Sequence, residues 1–361
     1  MPLGDCVENS HYIDAPRVRT KSVFSEATDP GQALLDFFRR LGTKISHGSC
    51  EPTAVRGLPL ILISQLPRSG GSLLSQLLDG HPQLVVYPWE MTIGYPIKND
   101  WPVLDTRDSP DRLFAQLFDA KLAYLARKGY RKRGKVKQKE KRLKFKYSPL
   151  DHYLKFVGSL PKSRTQRSIL DTYFDTFFRS WARDPNAAQY VAGFVPRLAS
   201  RHPSVAAFFR DYPDGRLVSI IRDPADWFAS RRAHTKHREV RYGDVREEMT
   251  LWNQMAAQAF NYMNDYGGRF LLLSFKDLVS DRGTTMRRLS TWLGIDFDPS
   301  LLSQTFDSKS IHPNSNFDDP PERLAEAVFE RKQYLTERER TQAYRVTEIW
   351  RRKLQETGWA G

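Results

Sequence analysis

Six consecutive residues, Pro67-Arg68-Ser69-Gly70-Gly71-Ser72, carry the densest chemistry in the chain. Before them runs LPLILISQL at 58–66, short, apolar and holding Ile61 and Ile63, the pattern of a buried parallel strand. After them Leu73, Leu74, Leu77 and Leu78 recur at helical spacing, with Gly80 and Pro82 placed to end a helix. A glycine loop between a strand and a helix N-terminus aims several backbone N–H groups at one point, and the helix dipole adds positive potential there. Gly70 and Gly71 lack Cβ atoms and allow an anion close to the backbone. Arg68 adds a cation, and Ser69 and Ser72 add hydroxyls. The chain has no G-x-x-x-x-G-K-[ST] match, so the lysine and magnesium-binding hydroxyl of an ATPase or GTPase loop are missing.

Two further sites join this loop. RLVSIIRD at 216–223 is a second apolar strand pattern, and Arg222 at its end offers a planar donor fork for an anion. Ser230 follows eight positions on, within the helical pattern PADWFASRRAH that opens on a proline. Glu90, in YPWEM, comes after QLVVY at 83–87, which reads as a strand. In a parallel sheet that strand would end at the same edge as the loop, making Glu90 the candidate general base. Pro88 and Trp89 are expected to desolvate its carboxylate, as a base needs. Histidine is the alternative: His234 and His237 lie past the Ser230 segment, whereas His81 belongs to a helix-ending turn. His234 and His237 form an H-x-x-H without further partners, so no metal is expected.

The loop PRSGGSLLSQLLDGHP at 67–82 resembles the 5′-phosphosulfate loop of sulfotransferases that use 3′-phosphoadenosine 5′-phosphosulfate (PAPS). VSIIRDPADWFASRR is similar to that family's 3′-phosphate motif, with Arg222 and Ser230 at its spacing and Asp223-Pro224 in its turn. FLLLSFKDLVSD at 270–281 looks like a later strand and turn, STWLGIDF at 290–297 like the following helix end, and SIHPNSNF at 310–317 like a loop over the nucleotide. Gly71 stands where Ser or Thr is commoner, and Lys276 where Glu is usual. The likeness spans about residues 58–361, is weakest over 100–168, and has a carbohydrate-type or tyrosylprotein-type flavour. It implies sulfuryl transfer from PAPS to a hydroxyl or amine acceptor. Ser69, Gly70, Gly71 and Ser72 would hold the 5′-phosphosulfate, mostly through backbone N–H groups. Arg68 would serve the leaving-group oxygens, and Arg222 and Ser230 the 3′-phosphate. Related enzymes carry a catalytic Glu in the region of Glu90. Trp227, Trp252 and Phe275 are candidate walls for adenine.

The elements that must position these residues alternate between strand and helix. The expected fold is α/β, a P-loop-like parallel β-sheet flanked by helices on both faces. RFLLLSF at 269–275 is another buried strand. Helices are expected over 33–41, 113–126, 169–181, 247–266 and 289–293, with charged C-terminal helices within 322–357. An N-terminal extension, 1–57, precedes one domain, 58–361, which carries a basic insertion around 127–146.

That insertion accounts for most of the charge. The formal net charge is +14. RKGYRKRGKVKQKEKRLKFK holds twelve Lys/Arg and one Glu, a local +11, and 14 − 11 leaves +3 elsewhere. It is a solvated insertion, a docking strip for an acidic glycan or peptide, or a contact for anionic lipid or nucleic acid. Tyr130, Phe145 and Tyr147 interleave it sparsely, which disfavours nucleic acid. Hydrophobic residues at 40% and charged residues at 27% are those of a globular protein. The first twenty residues lack an apolar core of a signal peptide, and no run of about 18 apolar residues spans a membrane. With only Cys6 and Cys50, a cytoplasmic, reducing location is expected. The rival readings are a P-loop-type nucleotide kinase and a non-enzymatic polyanion-binding protein.

Overall fold

The computed structural model describes Asp36 and residues 57–93, 100–130, 142–181, 187–236, 243–311 and 331–358. Its centre is a parallel sheet of five strands: β1 (Leu60–Gln65), β2 (Leu84–Glu90), β3 (Tyr190–Phe194), β4 (Arg216–Ile221) and β5 (Phe270–Ser274), in the order β2-β3-β1-β4-β5. The α/β fold and the parallel sheet are therefore as the sequence predicts. Because all five strands run the same way, their carboxyl ends share one edge, and that edge carries the residues singled out above.

Alternation along β1 divides the core. Leu60 and Leu62 face one layer, together with Val85, Tyr87 and the helices α5 (Gln166–Ser180), α6 (His202–Asp211), α7 (Pro224–Lys236), α8 (Val245–Tyr266) and α11 (Glu337–Glu356). Ile61 and Ile63 face the other, with α1 (Gly71–Leu78), α9 (Phe275–Ser280) and α10 (Arg282–Leu293). Helices thus cover both faces, and strands buried on both sides read as nearly continuous apolar runs.

Several expectations change in detail. β3, in the middle of the sheet, is not legible in the sequence because Ala192 and Gly193 interrupt its apolar run. Gly193 is required there: a Cβ would lie 2.6 Å from the Met91 methyl. β2 extends through Pro88 to Glu90, with a register irregularity between Val86 and Glu90, so Glu90 is the last strand residue and does not follow the strand. The single helix expected over 113–126 is two, α2 (Pro110–Leu117) and α3 (Ala120–Lys128). Asp119 breaks them, its carboxylate accepting from Lys121 N–H at 2.9 Å and from the Thr92 hydroxyl. α4 (Pro149–Ser159) and α6 are additional. Apart from Asp36, which is helical, the segment 33–41 lies outside the described residues, as do 131–141 of the basic insertion. A short hairpin, β6 (Thr305–Phe306) and β7 (Lys309–Ser310), packs beside α1.

Candidate active site

The loop between β1 and α1 is built from unusual backbone. Arg68 has φ 74° and Gly70 φ 96°, the left-handed region that side chains resist. At Gly70 a Cβ would also lie 2.6 Å from the Phe275 ring, and at Gly71 it would overlap the Phe194 ring. Gly71, a departure from the family's commoner Ser or Thr, is thus matched by an aromatic ring that fills the space. The loop is braced from behind: Trp227 Nε1 donates to Pro67 O at 2.6 Å and Leu66 N to Ile220 O at 3.0 Å.

Two features bear on anion binding. Ser69 is fully buried, and among the described residues its hydroxyl has no hydrogen-bond partner. Leaving such a group unsatisfied costs about 1–3 kcal/mol, so the loop gains when an acceptor oxygen arrives. Gly71 N–H is already engaged, donating to Gln65 Oε1 at 2.5 Å. The Gln65 carboxamide therefore stands where one anion oxygen was expected. Ser72 and Arg68 are half-buried beside it.

β4 adjoins β1, and its end brings the second motif to the loop. Arg222 is 2% exposed, and its guanidinium lies 4.6 Å from the Phe275 ring centre. Phe275 therefore touches both segments, Gly70 on one side and Arg222 on the other. Trp252 Nε1 donates to Arg222 O at 2.9 Å. Asp223 Oδ1 accepts from the N–H groups of Ala225 and Asp226, at 3.0 and 3.1 Å, and from the Tyr344 hydroxyl at 3.2 Å, fixing the start of α7. On α7, Ser230 follows Trp227 by three residues and so shares its face; it is 1% exposed. The next residue, Arg231, is held by Glu248 at 2.6 Å, both buried. Trp227 and Trp252 are fully buried braces of the two motifs, which removes them as open adenine walls, while Phe275 is 7% exposed.

On the other side of β1 lie β3 and then β2, about 10 Å away at the usual strand spacing. Glu90 pairs in register with Phe194, whose ring meets Gly71, and it is half-buried. The Trp89 ring meets Tyr130 edge-on, and 37% of the residue is exposed. His81 is a structural residue: Nδ1 accepts from Gln83 N–H at 3.1 Å, leaving Nε2 to donate to Asp296 O at 2.9 Å. His234 is near the end of α7; its side chain, all of His237, and residues 312–317 of the expected nucleotide-covering loop lie outside the described residues. His152 is fully buried beneath this region, between the Tyr147 hydroxyl and Tyr173 O, and burial pushes its pKa down to about 3. Among the described residues no three His, Cys, Asp or Glu side chains gather as a metal site. Gln65 and Phe194 are site residues that sequence reasoning does not single out, whereas Phe275, expected as a wall for adenine, meets Gly70 and Arg222. Of the first two, only Gln65 leaves a trace in the sequence, as the polar end of an apolar strand.

The fold is an α/β one with a glycine-bearing loop between strand and helix at the carboxyl edge of its parallel sheet. The family model for the sulfotransferase family matches residues 59–299, and the chain belongs to that family. It is a PAPS-dependent sulfotransferase, so the kinase and non-enzymatic readings are set aside. Among solved structures it is similar to the sulfotransferase domain from the curacin biosynthetic pathway, at 14% identity over 81% of this chain and 97% of that one, TM-score 0.46. The sulfotransferase domain from the Synechococcus PCC 7002 olefin synthase matches at 14% identity over 84% and 98%, TM-score 0.45. A sulfotransferase from Alicyclobacillus acidocaldarius matches at 18% identity over 67% and 87%, TM-score 0.37. No curated protein matches the chain. Among the described residues no helix is long and apolar enough to cross a membrane.

Proposed function

We propose that the enzyme transfers the sulfuryl group by in-line displacement, with Glu90 as general base, to a hydroxyl or amine of a carbohydrate or other acidic biomolecule. The observation that carries this reading is the common edge: Glu90, the loop Arg68–Ser72, and Arg222 end β2, β1 and β4 of one parallel sheet. The residues fit a ligand with two separated anionic groups. Ser69, within the loop, offers a buried hydroxyl without a partner among the described residues, Arg222 is buried against the Phe275 ring that also meets Gly70, and Ser230 is a second buried polar group on α7. Arg68, Ser69, Gly70, Gly71 and Ser72 would hold the 5′-phosphosulfate, and Arg222 and Ser230 the 3′-phosphate.

PAPS supplies a sulfuryl group joined through oxygen to a good leaving phosphate. Glu90 accepts the proton as the acceptor oxygen or nitrogen forms its bond to sulfur. The bond from sulfur to the bridging oxygen breaks, and that oxygen keeps the electron pair. Arg68 and the loop N–H groups stabilise the charge growing on it, and the fixed loop requires little reorganisation. For Gly71 to contribute, its backbone N–H must leave the Gln65 carboxamide oxygen. Glu90→Gln keeps the shape and removes the base. Turnover should fall roughly 10²–10⁴-fold while affinity for 3′-phosphoadenosine 5′-phosphate (PAP) is retained. Near-normal turnover in this variant would remove Glu90 from the mechanism and direct attention to His234 and His237.

A further inference from the structure

The surface beside Glu90 has a composition that the donor site does not use. Trp89 immediately precedes Glu90 and is exposed, with its ring edge-on to Tyr130 at 6.2 Å between centres. Tyr130 is held from three directions. Its hydroxyl accepts from Gln76 Nε2 on α1 at 3.1 Å, its ring stacks on Phe306 at 4.1 Å, and its backbone pairs with Leu143 through bonds of 2.8 and 3.0 Å. That pairing sets the end of α3 beside residues 142–147. Arg127 and Lys128 are exposed on the first side. On the second, Arg142, Lys144 and Lys146 are exposed and alternate with Leu143, Phe145 and Tyr147, which turn inward. An extended chain with this alternation spaces the three cations about 6–7 Å apart on one face. Neither 127–130 nor 142–147 contains an acid.

A row of surface cations alone is commonly just solvated. Here the row is anchored, through Tyr130, to the helix that starts at the anion loop and to the residue next to Glu90. It also has an exposed indole at its end. Tyr130, Phe145 and Tyr147 are buried at 5%, 4% and 4%, so they offer no stacking platform for successive bases.

We infer that Trp89, Arg127, Lys128, Arg142, Lys144 and Lys146 form the acceptor-docking surface, and that the acceptor is an acidic oligosaccharide. The C–H face of a sugar ring lies on the indole of Trp89, and its carboxylate or sulfate groups pair with the cations. The assignment rests on the proposed transfer reaction and on Glu90 for the position of the reacting group. An acidic peptide would satisfy the cations but presents no comparable rigid C–H face to the indole.

A size-defined heparin octasaccharide is the probe, titrated onto the full chain saturated with PAP, at low and high salt. Poly-L-glutamate of similar charge and neutral maltoheptaose serve as comparisons. Trp89→Ala should weaken octasaccharide binding about fivefold, the scale of one aromatic contact, and Trp89→Phe should restore most of it. The combined Arg142→Gln, Lys144→Gln and Lys146→Gln variant should weaken binding about tenfold and flatten its salt dependence. PAP affinity should stay unchanged in all of these, each variant should remain folded at the assay temperature, maltoheptaose should not bind measurably, and poly-L-glutamate should bind more weakly and ignore Trp89. Octasaccharide affinity that follows charge but is indifferent to Trp89→Ala would overturn the proposal, leaving only general attraction to basic residues. Poly-L-glutamate binding as tightly as the octasaccharide and depending on Trp89 would also overturn it, in favour of an acidic peptide. Glu90→Gln should leave octasaccharide binding intact, so its turnover tests the base separately from the docking surface.

Discussion

The two sides of the carboxyl edge are built differently. On the β1–β4–β5 side both candidate donor segments are braced: Trp227 holds Pro67, Trp252 holds Arg222, and Phe275 meets both Gly70 and Arg222. On the β2 side, Glu90 is half-buried, Trp89 faces solvent, and the nearby cations are exposed. A site for one fixed donor gains from rigidity, because its anionic groups always arrive with the same separation. A site that meets a larger acceptor needs open surface and charge. The division places the two functions on different strands, so substitutions should separate them.

The largest separation in stability should come from Gly70→Ala. It combines a strained positive φ, costing about 1–2 kcal/mol, with overlap on Phe275, costing about 1–3 kcal/mol. The melting temperature should drop and PAP affinity with it, whereas Lys144→Gln, exposed on the open side, should change stability by no more than about 0.5 kcal/mol. Comparable losses in the two variants, read by thermal unfolding, would erase the proposed contrast.

A second effect depends on pH. His152 titrates near 3 when folded and near 6.5 when unfolded, because burial disfavours its charged form. The unfolded chain therefore binds more protons between those values, and stability must fall as pH drops from about 6.5 toward 3, by about 2 kcal/mol at pH 5. Above pH 6.5 this contribution is constant. His152→Gln should be less stable at pH 8 yet lose less on acidification, as a melting series across pH would reveal; an unaltered slope would assign the acid sensitivity elsewhere.

The smallest effect sharpens the loop itself. Gln65→Met removes the acceptor from Gly71 N–H and should cost about 0.5–1.5 kcal/mol without ligand. Saturating PAP should narrow that difference, since an anion oxygen then replaces the carboxamide. A difference unaffected by PAP would mean that Gly71 N–H takes no part in donor binding.

This contrast also explains what the sequence reveals. The donor side is legible because each part is local: strand, loop and helix follow one another at 58–78, and Arg222 and Ser230 share one strand-to-helix turn. The acceptor side depends on contacts between distant segments. Nothing local pairs Tyr130 with Leu143, or brings Gln76 and Phe306 to the same ring. The alternation of cations with Leu143, Phe145 and Tyr147 was hidden inside what reads as a uniform charge run. β3 is not legible because Gly193, which interrupts its apolar run, serves close packing against Met91, and the contacts of Phe275 with both Gly70 and Arg222 join segments far apart in the chain.

The central claim is that two separate anion sites at one sheet edge hold the donor nucleotide. Binding of PAP and of adenosine 5′-phosphosulfate, which lacks the 3′-phosphate, to the parent protein and to Arg222→Ala tests it most directly. Loss of a charge-assisted contact of about 1.5–3 kcal/mol should weaken PAP roughly 10- to 150-fold. Affinity for adenosine 5′-phosphosulfate should be nearly the same in both proteins. An equal loss for the two ligands, or no loss for PAP, would contradict the assignment of Arg222 to the 3′-phosphate and with it the two-site account.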